Sequence, residues 1–347
     1  PGGRLAGMGR GEPPGRPRGG GGARGGGGGP PGPRPGLREG VPLRAFCSLG
    51  VGGPAALLAR AQSAGEAAAL ASFAESRGLP WMVLGKGSNC LFDDRGFPGL
   101  VIVNAIDFIE PLGPAGADSG GGPRGGGREE LVRVGSGVMV DALARDTARR
   151  GLGGLQFAVG VPGTVGGAVY MNAGAHGRDT WGALESVEYV TGGGTTAEMR
   201  RGDPGWEAGY RRSPFQAMPG AAITAATLRL APDPGAREEA RRNLEGRRQT
   251  QPVQERSMGC VFRNPQSEQQ SAGALIELAG LKGRTVGGAA VSEVHANYLI
   301  NADGAASGAD MLELMRTVQR EVRASTGVEL REEVQVFRYD DCLAAIE

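Results

Sequence analysis

From Gly160 to Ala175 the chain reads Gly-Val-Pro-Gly-Thr-Val-Gly-Gly-Ala-Val-Tyr-Met-Asn-Ala-Gly-Ala, with five glycines and three alanines in sixteen residues. Few folds need so many small side chains in one place. Gly163, Gly166 and Gly167 remove Cβ atoms where backbone must pass close to a flat or phosphorylated ligand, and Thr164 adds a hydroxyl at the turn. Tight helix packing would use the same residues, so the run by itself leaves both readings open. A second turn, Gly85-Lys86-Gly87-Ser88-Asn89, comes directly after the apolar stretch Trp81 to Leu84. Its small residues let backbone N–H groups close around an anion, with Ser88 and Asn89 as further donors. An ordinary βα turn is an equal reading of that short segment. Neither turn has the spacing of a P-loop or of a Rossmann fingerprint. Two such turns in one domain, some 75 residues apart, favour a large dinucleotide-type cofactor.

Charge and rare residues remove other classes of function. With 38 basic and 37 acidic side chains over 347 residues, the chain has no excess charge to attract a polyanion, and no nucleic-acid partner is expected. No run of 18 apolar residues occurs, which predicts no membrane span. Cys47, Cys90, Cys260 and Cys342 lie far apart without a C-x-x-C pair. That pattern excludes a zinc ribbon, argues against a disulfide framework and points to a reducing compartment. The only histidines are His176 and His295, so no metal centre is expected and a His-based triad has almost no material.

The texture of the chain suggests three parts. Residues 1–40 carry 18 Gly, 8 Pro and seven Arg, too little apolar surface to offset ordering entropy, and they read as a disordered tail. A passive GC-rich extension, the remnant of an organelle transit peptide and an RNA-touching Arg/Gly segment are the three readings of that tail. The compartment depends on the choice: cytoplasmic for a bacterial protein, plastid stroma if the tail is a transit remnant. Residues 41–231 alternate strand-like and helical stretches, among them an Ala-rich helix opened by Ser63 with Glu66 at capping-box spacing, and read as an α+β domain. Within it, residues 113–128 have ten Gly or Pro in sixteen and read as an expanded loop. Residues 232–347 read as a second domain, with helices near 237–249, 272–279 and 309–326, a strand-like stretch at 289–301 and a last strand at 328–337. Met311, Leu314, Met315, Val318 and Val322 form one apolar helix face, which is a core signal.

Taken together with Ser257-Met258-Gly259-Cys260-Val261-Phe262-Arg263-Asn264-Pro265, Ala279-Gly280-Leu281-Lys282-Gly283, Val291-Ser292-Glu293-Val294-His295-Ala296-Asn297 and Glu332-Glu333-Val334, the two turns closely resemble the UDP-N-acetylenolpyruvoylglucosamine reductase family. The resemblance runs from about Val41 to Phe337 and matches its shorter class, without the extra substrate-covering insertion. It implies an α+β architecture: an FAD-binding domain of the vanillyl-alcohol-oxidase type plus a smaller α+β C-terminal substrate domain. It also implies FAD as bound cofactor, NADPH as co-substrate and a UDP-sugar substrate in peptidoglycan precursor synthesis; a monomer is the expected state. The FAD phosphates would lie at Gly85, Lys86, Gly87, Ser88 and Asn89 and at Pro162, Gly163, Thr164, Val165, Gly166 and Gly167.

The same resemblance assigns Arg211 and Glu333 to the charge that develops on the substrate carboxylate. Cys260 stands at the family's proton-donating position, usually a serine. An unperturbed thiol titrates near 8.5, so it donates a proton more readily than a hydroxyl and is open to ionisation and oxidation. Tyr210, Arg263, Asn264, His295 and Asn297 are candidate substrate contacts. A flavin oxidase using another acceptor, or a non-catalytic module with an RNA-binding Arg/Gly tail, are the alternatives. The motifs around Cys260 and Glu333 speak against the oxidase.

Overall fold

The computed structural model describes residues 36–115, 128–265 and 270–344. The expected disordered tail lies outside them up to residue 35, as do residues 116–127 of the expanded loop. The last residues assigned to that tail form a strand instead: Arg38–Pro42 pairs antiparallel with Pro54–Ala61, Arg38 opposite Leu58. A neighbouring strand edge supplies backbone partners that local composition does not report.

The first sheet runs in the order Arg38–Pro42, Pro54–Ala61, Phe97–Asn104 and Trp81–Leu84, and the last three strands are parallel. The helix Ala64–Glu75 packs on it, with Ala67 and Ala74 buried against Leu100 and Ile102. Ser63 accepts the Glu66 N–H at 3.2 Å, while the Glu66 carboxylate reaches one residue beyond the usual capping box, to the Gln62 N–H at 2.8 Å.

The second sheet is antiparallel, in the order Thr196–Arg200, Leu184–Val190, Ala222–Pro232, Glu130–Gly135 and Ile109–Pro114. Its core gathers Val132, Val134, Leu143, Phe157, Val169, Trp181 and Leu228. Ala236 and Ala240 of the helix Ala236–Thr250 are buried in this same core. That charged helix therefore packs with the residues before it, although it lies past the expected boundary at 231.

The third sheet begins after the helix: Ser257–Cys260, Tyr298–Asn301, Ala289–Val291 and Thr285–Val286, all antiparallel. Gly308–Thr326 covers it, and Met311, Leu314, Met315, Val318 and Val322 are all essentially without exposure. At about 1.5–3 kcal/mol per fully buried aliphatic side chain, that face is enough to fix the helix in place. The strand-like stretch 289–301 is two strands, because residues 292–297 fold into a turn where Ser292 Oγ accepts the Val294 N–H at 3.2 Å.

The final strand is also shorter than the alternation implied. Only Gln335–Phe337 forms a ladder, and its partner is Cys90–Phe92 of the first domain, in parallel. Before it, the chain runs extended beside the third sheet, with the Glu333 N–H donating to Val261 O at 2.7 Å. This return path laces the C-terminal region onto the segment just after the first glycine-rich turn.

Candidate active site

The first turn joins Trp81–Leu84 to Cys90–Phe92 and has no room for a side chain at Gly85 or Gly87. Gly87 has φ +64°, and a Cβ there would lie 2.2 Å from Phe46 O and 2.7 Å from Cys47 Cα. A Cβ on Gly85 would fall 2.5 Å from Thr164 Oγ1. The two glycine-rich turns, read separately in the sequence, therefore touch.

In the second turn, Thr164 caps the helix Val165–Met171 and accepts the Gly167 N–H at 3.4 Å. Gly166 is pressed against Ser136, whose Cβ would stand 2.9 Å from an added methyl, and its N–H donates to Ser136 O at 2.8 Å. Gly163 has φ +141° and nothing within 4 Å of its would-be Cβ.

This seat fits a dinucleotide such as FAD: backbone facing open space at Gly163, contact between the turns at Gly85, and donors without acceptors. Among the described residues, the N–H groups of Lys86, Gly87, Ser88 and Asn89 have no backbone acceptor. Those are the groups an anion uses in a nest. The Asn89 side chain does something else, donating from Nδ2 to Glu333 O at 3.3 Å, and the Gln335 N–H returns a bond to Asn89 O at 2.9 Å.

Beside this seat lie the three residues assigned to chemistry. Arg211 occupies a tight turn closed by reciprocal 3.0 Å bonds between Gly209 and Arg212, and it sits at φ +56°, uncommon and strained for a side chain of its size. Asn172 Nδ2 donates to Gly209 O at 2.9 Å and Gln216 Nε2 to Arg211 O at 3.1 Å, holding that turn in its strained form.

From there Arg211 Nε donates to Glu333 Oε1 at 2.6 Å, with side chains 19 % and 11 % exposed. Burial works against the Arg211 charge, but the neighbouring Glu333 carboxylate outweighs it and raises the pKa. Glu333 is therefore buried beside Arg211 and does not lie on a solvent face.

Cys260 ends its strand next to Gly259, whose φ of +78° leaves a would-be Cβ 4.0 Å from Ser88 O. The sulfur-bearing strand thus abuts the first turn. Burial, and then the Glu333 charge, push the Cys260 thiol up to about 11, against the lowering influence of Arg211, the Tyr298 hydroxyl and Arg247. At neutral pH it is a protonated thiol, and its loss of a proton lies well above the value near 8.5 expected of an unperturbed cysteine.

The five expected substrate contacts divide. Tyr210 is 41 % exposed at the rim, and its hydroxyl accepts the Asn264 N–H at 3.4 Å. Arg263 carries a buried Nε without a partner. Asn297, by contrast, uses both polar atoms on Phe262, accepting its N–H at 2.9 Å and donating to its carbonyl at 2.8 Å. Asn264 Oδ1 accepts the Ala272 N–H at 3.0 Å, and His295 Nδ1 accepts the Asn297 N–H at 3.2 Å. In these positions Asn297 commits both side-chain polar atoms to backbone, and Asn264 and His295 commit one each.

One charged group of the site has no mark in the sequence. Arg247, in the Ala236–Thr250 helix, lies over Gly160, where a Cβ would meet its Cδ at 2.8 Å. Its Nε is buried without a partner, and burial lowers its pKa. Nothing in a helix with so many exposed arginines singles it out. Among the described residues no cluster of metal-binding side chains occurs, and no helix is long and apolar enough to cross a membrane.

Comparison with known proteins matches residues 55–200 to an FAD binding domain and residues 251–337 to the UDP-N-acetylenolpyruvoylglucosamine reductase C-terminal domain. The chain is 42 % identical over 298 residues to the UDP-N-acetylenolpyruvoylglucosamine reductase of Protochlamydia amoebophila, covering 86 % of this chain and 93 % of that one. It is 41 % identical over 303 residues to the Chlamydia muridarum protein of the same name, covering 87 % and 95 %. The solved reductase from Thermus caldophilus is similar at a TM-score of 0.68 and 35 % identity, covering 87 % of this chain and all of that one.

Proposed function

Since the chain belongs to the UDP-N-acetylenolpyruvoylglucosamine reductase family, we propose that Arg211, Cys260 and Glu333 carry out its proton and charge chemistry beside a cofactor seated at 85–89 and 162–167. The protein is an FAD-dependent oxidoreductase that reduces the enolpyruvyl group of UDP-N-acetylglucosamine enolpyruvate to UDP-N-acetylmuramate, with NADPH as co-substrate, in peptidoglycan precursor synthesis. When bound, FAD carries hydride from NADPH to the enolpyruvyl carbon C3. The side chains stabilise the resulting charge and supply the proton.

Hydride addition at C3 leaves negative charge spread toward the substrate carboxylate. Arg211, fixed in its turn and partly buried, places a guanidinium fork where that charge develops, which stabilises it more than water could. Glu333 keeps Arg211 charged and oriented. Cys260 delivers the proton to C2, and its raised pKa keeps it protonated until the substrate takes that proton. Tyr210 and Arg263 supply the open polar groups that would meet the UDP-sugar.

The observation that carries this reading is the 2.6 Å pair between Arg211 and Glu333, set beside Cys260 and fastened to the first turn through Asn89.

Replacing Cys260 by Ala tests the assignment. Flavin bleaching by NADPH should remain at the parental rate, while reoxidation by the enolpyruvyl nucleotide slows more than about a hundredfold in stopped flow. Unimpaired reoxidation would remove Cys260 from the mechanism.

A further inference from the structure

The strands Ser257–Cys260 and Tyr298–Asn301 set Tyr298 directly across from Cys260. Residues opposite one another in an antiparallel pair share a face, with Cβ atoms about 5 Å apart. Tyr298 is only 8 % exposed and His295 packs edge-on against its ring at 4.9 Å, so the ring is held on the face it shares with its strand partner. A buried phenol requires a hydrogen-bond partner.

Four groups act on the thiol electrostatically: Glu333 from the C-terminal extended segment, Arg211 from its turn, Arg247 from the Ala236–Thr250 helix, and Tyr298 from the adjoining strand. Arg211 is occupied by Glu333 at 2.6 Å, and a carboxylate accepts without donating. Tyr298 is the neutral donor of the set.

We propose that Tyr298 is a positioning residue for Cys260, its hydroxyl hydrogen-bonding to the sulfur so that the thiol is held in one orientation before proton transfer and the thiolate is stabilised after it. The inference rests on the reading of Cys260 as proton donor. In the step, the S–H bond breaks and a C–H bond forms at substrate C2. The S–H electron pair stays on sulfur, and Tyr298 shares its proton with that thiolate without giving it up. Burial raises both groups, and contact with Tyr298 is among the influences that bring the thiol back down.

The test uses the FAD-loaded enzyme with Tyr298→Phe. Site-resolved mass spectrometry of iodoacetamide labelling across pH should show the Cys260 midpoint moved upward by about one unit, with labelling at a fixed lower pH slowed about tenfold. Reoxidation by substrate should slow about tenfold with KM nearly unchanged, and bleaching by NADPH should be unaffected. A 3-fluorotyrosine at position 298, the same shape with a stronger donor, should move the labelling midpoint down.

Labelling profiles that match the parent in both variants would overturn the proposal. Full substrate reduction by Cys260→Ala would instead sink the donor reading, and the labelling profiles would still report on the contact itself.

Discussion

The glycine-rich seat and the cluster beside it are built on opposite principles. The seat is made of backbone and of side chains that are missing: Gly85, Gly87, Gly163 and Gly166 act through the Cβ atoms they lack. The cluster is made of side chains from three distant segments, Arg211, Cys260 and Glu333, brought together by one ion pair and by the backbone bond from the Glu333 N–H to Val261 O. A site built from absences tolerates no additions. One built from side chains tolerates a change of functional group, and on the proposed reading Cys260 places a thiol where the family resemblance implies a hydroxyl.

The sharpest way to break that contrast is Gly87→Ala. The methyl would meet Phe46 O at 2.2 Å at a φ of +64°, so the turn must shift as a whole. Purified variant should contain essentially no flavin by its visible absorbance. A variant that retains a full complement would show that the seat is less dependent on bare backbone than its geometry implies.

A smaller effect is expected from Glu333→Gln, which leaves the seat alone. Gln keeps an acceptor for Arg211 Nε but not the charge, and the Glu333 carbonyl that Asn89 holds is unchanged. Flavin content and bleaching by NADPH should be parental, while reoxidation by substrate falls about a hundredfold. Loss of flavin in this variant would mean that seat and cluster cannot be separated.

The same contrast decides how much of the molecule is legible in its sequence. Both turns stand out as runs of glycine, since a missing Cβ is written directly in the sequence; that they touch at Gly85 and Thr164 is not. The helix face of Met311, Leu314 and Val318 is plain from its spacing. Arg211 and Glu333 carry no local sign of pairing, because a charged side chain reads the same on a surface as in a cleft, and only the family resemblance marks them. Arg38–Pro42 is hidden by a glycine-rich neighbourhood, and the turn at 292–297 by the apolar residues around it. Asn297 sits in a motif that resembles a substrate contact, yet both polar atoms of its amide are spent on Phe262, and Asn264 gives its Oδ1 to Ala272. Arg247 has no signal at all, since burial of one arginine among many depends on how the helix is rotated.

The smallest expected effect sharpens the comparison most. Cys260→Ser keeps a proton on the same strand in nearly the same volume, so turnover at neutral pH should stay within about tenfold of the parent. The difference lies in the alkaline range. Burial holds the parent thiol up to about 11, so the proton-donating form persists across neutral and mildly basic pH and is lost only as pH rises through that value. A serine hydroxyl has no such ionisation. Single-turnover reoxidation measured from pH 7 to 11 should therefore bend downward at its upper end in the parent and stay flat in the serine variant.

Stability carries the same sign. An unfolded thiol ionises near 8.5, below the folded one, so above that pH the unfolded chain releases a proton that the native state retains. The parent should lose stability from about pH 8.5 to 11 relative to Cys260→Ser, as read from urea midpoints. A bend near 8.5 in the rate profile, with no difference in urea midpoints, would mean that the thiol is solvated in the working enzyme and that the cluster is open to water while the seat is not.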